Sequence, residues 1–170
     1  VWVDLHEENG WSLSLPAIQH AVTTRTRAIL LANPNNPTGT VFSPEQLRSI
    51  AQFAQAHDIL LIIDEVYKDL IYTDAPGYSI AQESALRKTI VYVYSFSKAY
   101  AMTGWRVAFL ATDQTLAAEI LKVHDALVTC APVVSQYAAL AALELGGGEK
   151  ERVRALFHSR RDLLCAKLDT

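Results

Sequence analysis

The chain has 170 residues, is 51% hydrophobic and 19% charged, and carries a formal net charge of −3. This is a globular composition on a chain long enough for a substantial core, far from the polar, highly charged regime of disordered segments. The balance gives no electrostatic footprint for nucleic acid or an anionic membrane surface. Cys130 and Cys165 lie far apart with no CxxC, which points to a reducing compartment such as the cytoplasm. The five histidines, His6, His20, His57, His124 and His158, show no metal-ligand spacing.

The first residue is Val1, and no basic segment leads into an apolar run, so no signal peptide is read here. Ala28–Ala32 is the first aliphatic run and predicts a strand; the loop NPNNPTG (33–39) follows it. Ser43 then opens a helix as N-cap, with Pro44 at the first helical position and Gln46 placed to close a capping box. Leu47, Ile50, Ala51 and Ala54 form its buried face, and it stops near His57-Asp58. A second strand, Ile59–Ile63, leads into DEVY (64–67), and a third, Thr89–Tyr94, into SFSK (95–98) and then Gly104-Trp105-Arg106.

A short loop joins the third strand to a fourth apolar run, Val107–Ala111, whose direction is left open. Asp113 begins a helix expected to bury Leu116, Ile120, Leu121 and Leu127. The uncharged stretch Ala126–Leu143 approaches the length of a membrane span. Thr129, Pro132, Ser135 and Gln136 interrupt it, so it reads as the end of one helix near Thr129 and a second, buried, alanine-rich helix after Pro132. Gly146-Gly147-Gly148 is linker-like, and the charged helical stretch beyond it reaches the last residues. Both ends read as interior to a longer protein. Strands apolar on both faces, alternating with helices, predict an α/β fold with a mostly parallel sheet covered by helices on both faces.

Ligands of open α/β sheets bind beyond the carboxyl ends of the strands, and three polar clusters fall there. Singly, each has a plain explanation. NPNNPTG is a turn, Asp64 a helix cap or surface acid, and Lys98 a lysine that reaches solvent. Together they suit one ligand. A lysine in a partly buried cleft is a nucleophile toward carbonyls. Ser95, Ser97 and Arg106 suit a phosphate dianion. Asp64 can hold a proton on a ring nitrogen, and Tyr67 and Asn36 can hydrogen-bond a phenolate oxygen. A phosphate, an aldehyde, a ring nitrogen and a phenolic oxygen on one molecule describe pyridoxal 5'-phosphate.

NPNNPTG, DEVY and SFSKAYAMTGWR, in that order, resemble the class I/II aminotransferases among the fold-type I pyridoxal-phosphate enzymes. The resemblance covers most of the chain. It implies transfer of an amino group between an amino acid and a 2-oxo acid, with the cofactor carried as a Schiff base on Lys98. That lysine would also shuttle the proton of the substrate Cα. Asp64 would pair with the pyridine nitrogen, Tyr67 and Asn36 would bond the 3' oxygen, and Ser95, Ser97 and Arg106 would bind the phosphate. It further implies a homodimer in the full-length form.

The family's glycine-containing phosphate loop and ring-stacking aromatic lie upstream of this chain, and its carboxylate-binding arginine lies in a C-terminal small domain. Residues 1–147 therefore resemble the central part of the large domain, and 148–170 the helix leading toward the small one. Such a piece alone is expected to be inactive. Two other readings share these motifs: another fold-type I enzyme, a β-lyase or decarboxylase, and an aminotransferase-like sensor domain of a transcription regulator.

Overall fold

The four apolar runs pair into one sheet of strand order β1-β2-β3-β4, comprising Ala28–Ala32, Leu60–Asp64, Ile90–Ser95 and Ala108–Ala111. The computed structural model from which this is read describes residues 1–72 and 77–168. β1, β2 and β3 run parallel and β4 antiparallel to β3, giving a mostly parallel α/β sheet. The direction of the fourth run follows from its connection. The loop of residues 96–107 contains no crossover helix, only a single 3-10 turn at Thr103–Trp105, so the chain can only double back.

Two helices precede β2. The first, α1 (Leu15–Ala21), escaped the sequence reading although its start is marked: Ser14 Oγ accepts from the Ala17 N–H and Pro16 sits in the first turn. The second, α2 (Pro44–Ala56), carries the predicted capping box. Ser43 Oγ accepts from the Gln46 N–H at 3.2 Å, and Gln46 Oε1 accepts from the Ser43 N–H at 2.9 Å. Leu47, Ile50, Ala51 and Ala54 are all buried, in one cluster with Leu61 and Ile63 of β2. α2 thus roofs one face of the sheet, and its cap sets where the chain re-enters after the first loop.

Beyond β4 the helices are α3 (Gln114–Leu127, capped by Asp113), α4 (Val133–Leu145) and α5 (Glu149–Leu168). The split of the 126–143 stretch is as predicted, and no helix among the described residues is long and apolar enough to cross a membrane. The predicted burial is not observed. In α3, Leu116 and Ile120 are half-buried, but Leu121 and Leu127 are 62% and 77% exposed. In α4 only Ser135 and Ala139 are buried, Ala139 against Phe96, Met102 and Val107. The stripes have helical spacing, yet they meet too little of the described chain to be covered. The sheet face away from α2 is also partly open, with Leu30 at 70% exposure. The expected ranges 1–147 and 148–170 include 73–76 and 169–170, which lie outside the described residues.

Removing the Ser43 hydroxyl deletes half of the capping box. Ser43→Ala is expected to lower stability by about 1 kcal/mol in denaturant unfolding, whereas Ser43→Thr should cost much less.

Candidate active site

Register decides what meets at the carboxyl edge. Ala32 is paired with Asp64, and Asp64 with Val93. The ladder continues one rung further, where the Asn33 N–H donates to the Asp64 carbonyl (2.9 Å) and the Glu65 N–H to that of Val93 (3.0 Å). All three loops therefore leave the same edge, the position at which α/β sheets bind ligands. Strand alternation then puts Asp64, Val93 and Ser95 on one face, and Ile63, Glu65, Tyr92 and Tyr94 on the other.

The loop after β1 is rigid at its root and open at its tip. Asn33 is buried, and its Oδ1 accepts from the Phe42 N–H at 2.9 Å. The Asn35 N–H donates to the Thr40 carbonyl and the Gly39 N–H to that of Asn35, each at 2.8 Å, with Gly39 at φ +74°. Both Asn-Pro bonds, 33–34 and 36–37, are cis. Asn36 is exposed.

After β2, Asp64 turns one carboxylate oxygen back on its own turn, Oδ1 accepting from the Val66 N–H at 3.0 Å. Tyr67 follows, half-buried, and the Lys98 ammonium lies over its ring at 5.8 Å from the centroid. After β3, Ser95 Oγ–H donates to Ser97 Oγ (2.9 Å), and the Ser97 N–H donates back to Ser95 Oγ (3.1 Å). The Thr103 hydroxyl, which the sequence reading passed over, donates to the Ser97 carbonyl at 2.9 Å, and Arg106 Nη1 donates to the Thr103 carbonyl at 2.8 Å. Arg106 is thereby tied to the serine pair through Thr103, though its side chain is exposed. Ala101 and Arg106 are both left-handed, at φ 53° and 55°. That conformation costs roughly 1–2 kcal/mol for a residue with a Cβ.

The contacts thus join Tyr67 to Lys98 and Ser95 to Ser97, and strand alternation puts Asp64 on the face of Ser95, while Asn36 and Arg106 are exposed on the loops that leave this edge. The donor set could hold a phosphorylated aromatic aldehyde. Two adjacent hydroxyls and a guanidinium match a phosphate, an amine matches a carbonyl, and a carboxylate with a nearby phenol matches a ring N–H and a ring oxygen. A groove of about 880 Å³ lies elsewhere, along the outer edge of β1 between Ile18, Leu31 and Phe42; it reaches Asn35 but not Lys98.

Beneath the site lies a polar cluster that the motifs did not reveal. Glu65 is fully buried, and desolvation pushes its carboxyl up to about 7. The Ser79 hydroxyl and the Lys68 charge draw it partly back down, and the Asp69 charge opposes them. Asp69 accepts from the Tyr94 hydroxyl (2.6 Å) and from Lys150 of α5 (3.2 Å). Arg154 of α5 donates to the Ile71 carbonyl at 2.7 Å. The signal available in the sequence was an acid, Glu65, on the apolar face of a central strand.

A family model described as aminotransferase class I and II matches residues 1–170. The putative aminotransferase YugH of Bacillus subtilis is 38% identical over 99% of this chain and 44% of its own length. An aspartate aminotransferase of Musicola paradisiaca is 38% identical over 97% of this chain and 41% of its own. The structure of an aromatic aminotransferase from Pyrococcus horikoshii superposes with a TM-score of 0.91 at 37% identity, covering 99% of this chain and 46% of that one. The chain spans under half the length of each.

Thr103→Val keeps the shape of the loop but removes the bond to the Ser97 carbonyl. Equilibrium unfolding is expected to show a loss of about 1 kcal/mol, and Thr103→Ser should recover most of it.

Proposed function

Because this chain belongs to the class I and II aminotransferases, we propose that the complete protein moves an amino group between an amino acid and a 2-oxo acid, with pyridoxal 5'-phosphate held around Lys98. The observation that carries this is the convergence of Asp64, Tyr67, Lys98 and the Ser95–Ser97 pair at one edge of three parallel strands. When bound, that cofactor supplies an aldehyde carbon for an amine and a ring that withdraws electrons from the bonds at the amino acid's α-carbon.

The chain's own residues divide the remaining work. Ser95 Oγ, Ser97 Oγ and the Arg106 guanidinium hold the phosphate, the serines already set by their mutual hydrogen bonds. Asp64, with Oδ1 occupied by Val66, offers Oδ2 to hold a proton on the ring nitrogen. The hydroxyl of Tyr67 and the amide of Asn36 donate to the ring oxygen. Lys98 Nζ would be the amine that meets the cofactor's aldehyde and the base that moves the proton at the substrate Cα. The half-buried environment of Tyr67 and Lys98 limits competing water.

Residues 1–147 are, in this proposal, the central part of the cofactor-binding large domain, and α5 begins the path toward a second domain. The 170-residue chain alone would be inactive, because the resemblance puts the substrate-carboxylate arginine in that second domain. The protein would work as a homodimer, a reading supported by the apolar surface left open on α3 and α4 at Leu127, Tyr137 and Leu145.

In the full-length enzyme, Lys98→Ala should lower transamination by at least ~10³-fold while leaving the circular dichroism spectrum unchanged, because its role is chemical. Asp64→Ala should reduce kcat by about 10²-fold or more while cofactor retention falls far less. Parent-like turnover in the lysine variant would contradict the assignment.

A further inference from the structure

Glu65 stands inside the DEVY turn, yet neither the motif nor the proposed chemistry uses it. Of residues 64–67 it alone is fully buried; Asp64, Val66 and Tyr67 are half-buried. Its main chain holds both ends of the turn, with its N–H on the Val93 carbonyl (3.0 Å) and its carbonyl accepting from the Lys68 N–H (3.1 Å). Whatever fixes its side chain therefore fixes the direction in which Asp64 and Tyr67 leave the sheet.

The groups around that side chain are unusual for a buried acid. Neither carboxyl oxygen has a hydrogen-bond partner among the described residues, and neither has the buried hydroxyl of Tyr92. Tyr92 pairs with Ile63, so this hydroxyl and the Glu65 carboxyl occupy the same face of adjacent strands, and the charge of Glu65 acts on Tyr92. The neighbouring cations are engaged elsewhere. Lys68 lies over the rings of Tyr92 and Tyr94, 5.1 Å from each, and Lys150 bonds Asp69. Asp69 also takes the Tyr94 hydroxyl, and its negative charge opposes a second one on Glu65. Ser79 Oγ accepts from the Ala81 N–H and makes no well-formed bond to the carboxyl. An ionised carboxylate without a partner is costly in such a place, and a neutral acid costs far less.

We propose that Glu65 is a positioning residue: kept as a neutral carboxylic acid on the face of the sheet opposite the site, it anchors the turn that aims Asp64 and Tyr67. The inference rests on the roles proposed for those two residues. Its proton has a definite sign. The fold raises the carboxyl from its ordinary 4.5 to about 7. The acid form is therefore favoured by folding, and stability falls as pH rises from about 4.5 to about 7 and is then level.

The test uses full-length enzyme in three forms: parent, Glu65→Gln and Glu65→Leu. Glutamine keeps shape and hydrogen-bonding capacity but does not titrate. The melting temperature of Glu65→Gln relative to the parent should rise between pH 5 and pH 7.5 by about 2–3 °C. A constant difference across that range would overturn the neutral-acid assignment. Affinity for pyridoxal 5'-phosphate, read by equilibrium dialysis, should be within about twofold of parent in Glu65→Gln at pH 6 and at least ~tenfold weaker in Glu65→Leu. Equal affinity in all three would overturn the positioning role. Should the leucine variant fail to fold, the parent and glutamine melting curves still decide, since a difference that does not change with pH defeats the proposal. Melting without cofactor is blind to the role of Lys98, so failure of the functional proposal would leave the melting comparison intact and register in the parent's cofactor affinity and in the Lys98→Ala variant.

Discussion

The register of three parallel strands is the constraint on which everything else in this chain depends. Because Ala32, Asp64 and Val93 lie side by side, and the ladder is closed by the Asn33 and Glu65 amides, the loops after β1, β2 and β3 start from one level. In a strand a slip of one residue would carry Asp64 to the face that α2 covers and bring Glu65 out in its place. Burial prevents that slip. Leu61 and Ile63 are fully buried in the cluster with Leu47, Ile50 and Ala54, a packing that a slip would break.

The two faces of the carboxyl edge are built differently. On one, Asp64, Ser95 and Ser97 are held by short local bonds, and the loop through Ala101 to Arg106 tolerates two left-handed residues to return to β4. Such strain persists only where surrounding structure enforces it. Here the enforcement comes from Thr103, from the buried Phe96, Met102 and Val107, and from the pairing of Ser95 with Ala108. On the other face, aromatic rings and the Asp69–Tyr94–Lys150 contacts tie the turn after β2 to α5, whose Arg154 reaches the Ile71 carbonyl and whose His158 stacks on Tyr72. The last helix and the site thus share one segment, residues 65–72.

Much of this could be read from residues alone, and the reasons are local. Strand limits were recovered to within one residue because ILLA and LLII have no competing period, and the Ser43-Pro44-Glu45-Gln46 start specifies its own hydrogen bonds. The gathering of Asn36, Asp64, Tyr67 and Lys98 at one edge follows from parallel pairing, which the strand–helix alternation implied. Other features depend on tertiary partners that spacing does not encode. The stripes of α3 and α4 have the right period for burial but little to pack on, so Leu127 and Tyr137 stay open. The direction of β4 depended on the length of one loop. Glu65 stands beside another acid in the sequence, and only the alternation carried on from Leu61 and Ile63 of β2 shows it to be interior. α1 had a legible start at Ser14-Leu15-Pro16 but too few residues for a helical period to show.

The central claim is that these three loops form a single cofactor site whose reactive amine is Lys98. The most direct measurement is borohydride reduction of the full-length enzyme with pyridoxal 5'-phosphate, followed by peptide mapping by mass spectrometry. The account predicts a pyridoxyl group on the peptide containing Lys98, and on Nζ of that residue. A label on Lys68, Lys150 or any other lysine, with Lys98 unmodified, would contradict it.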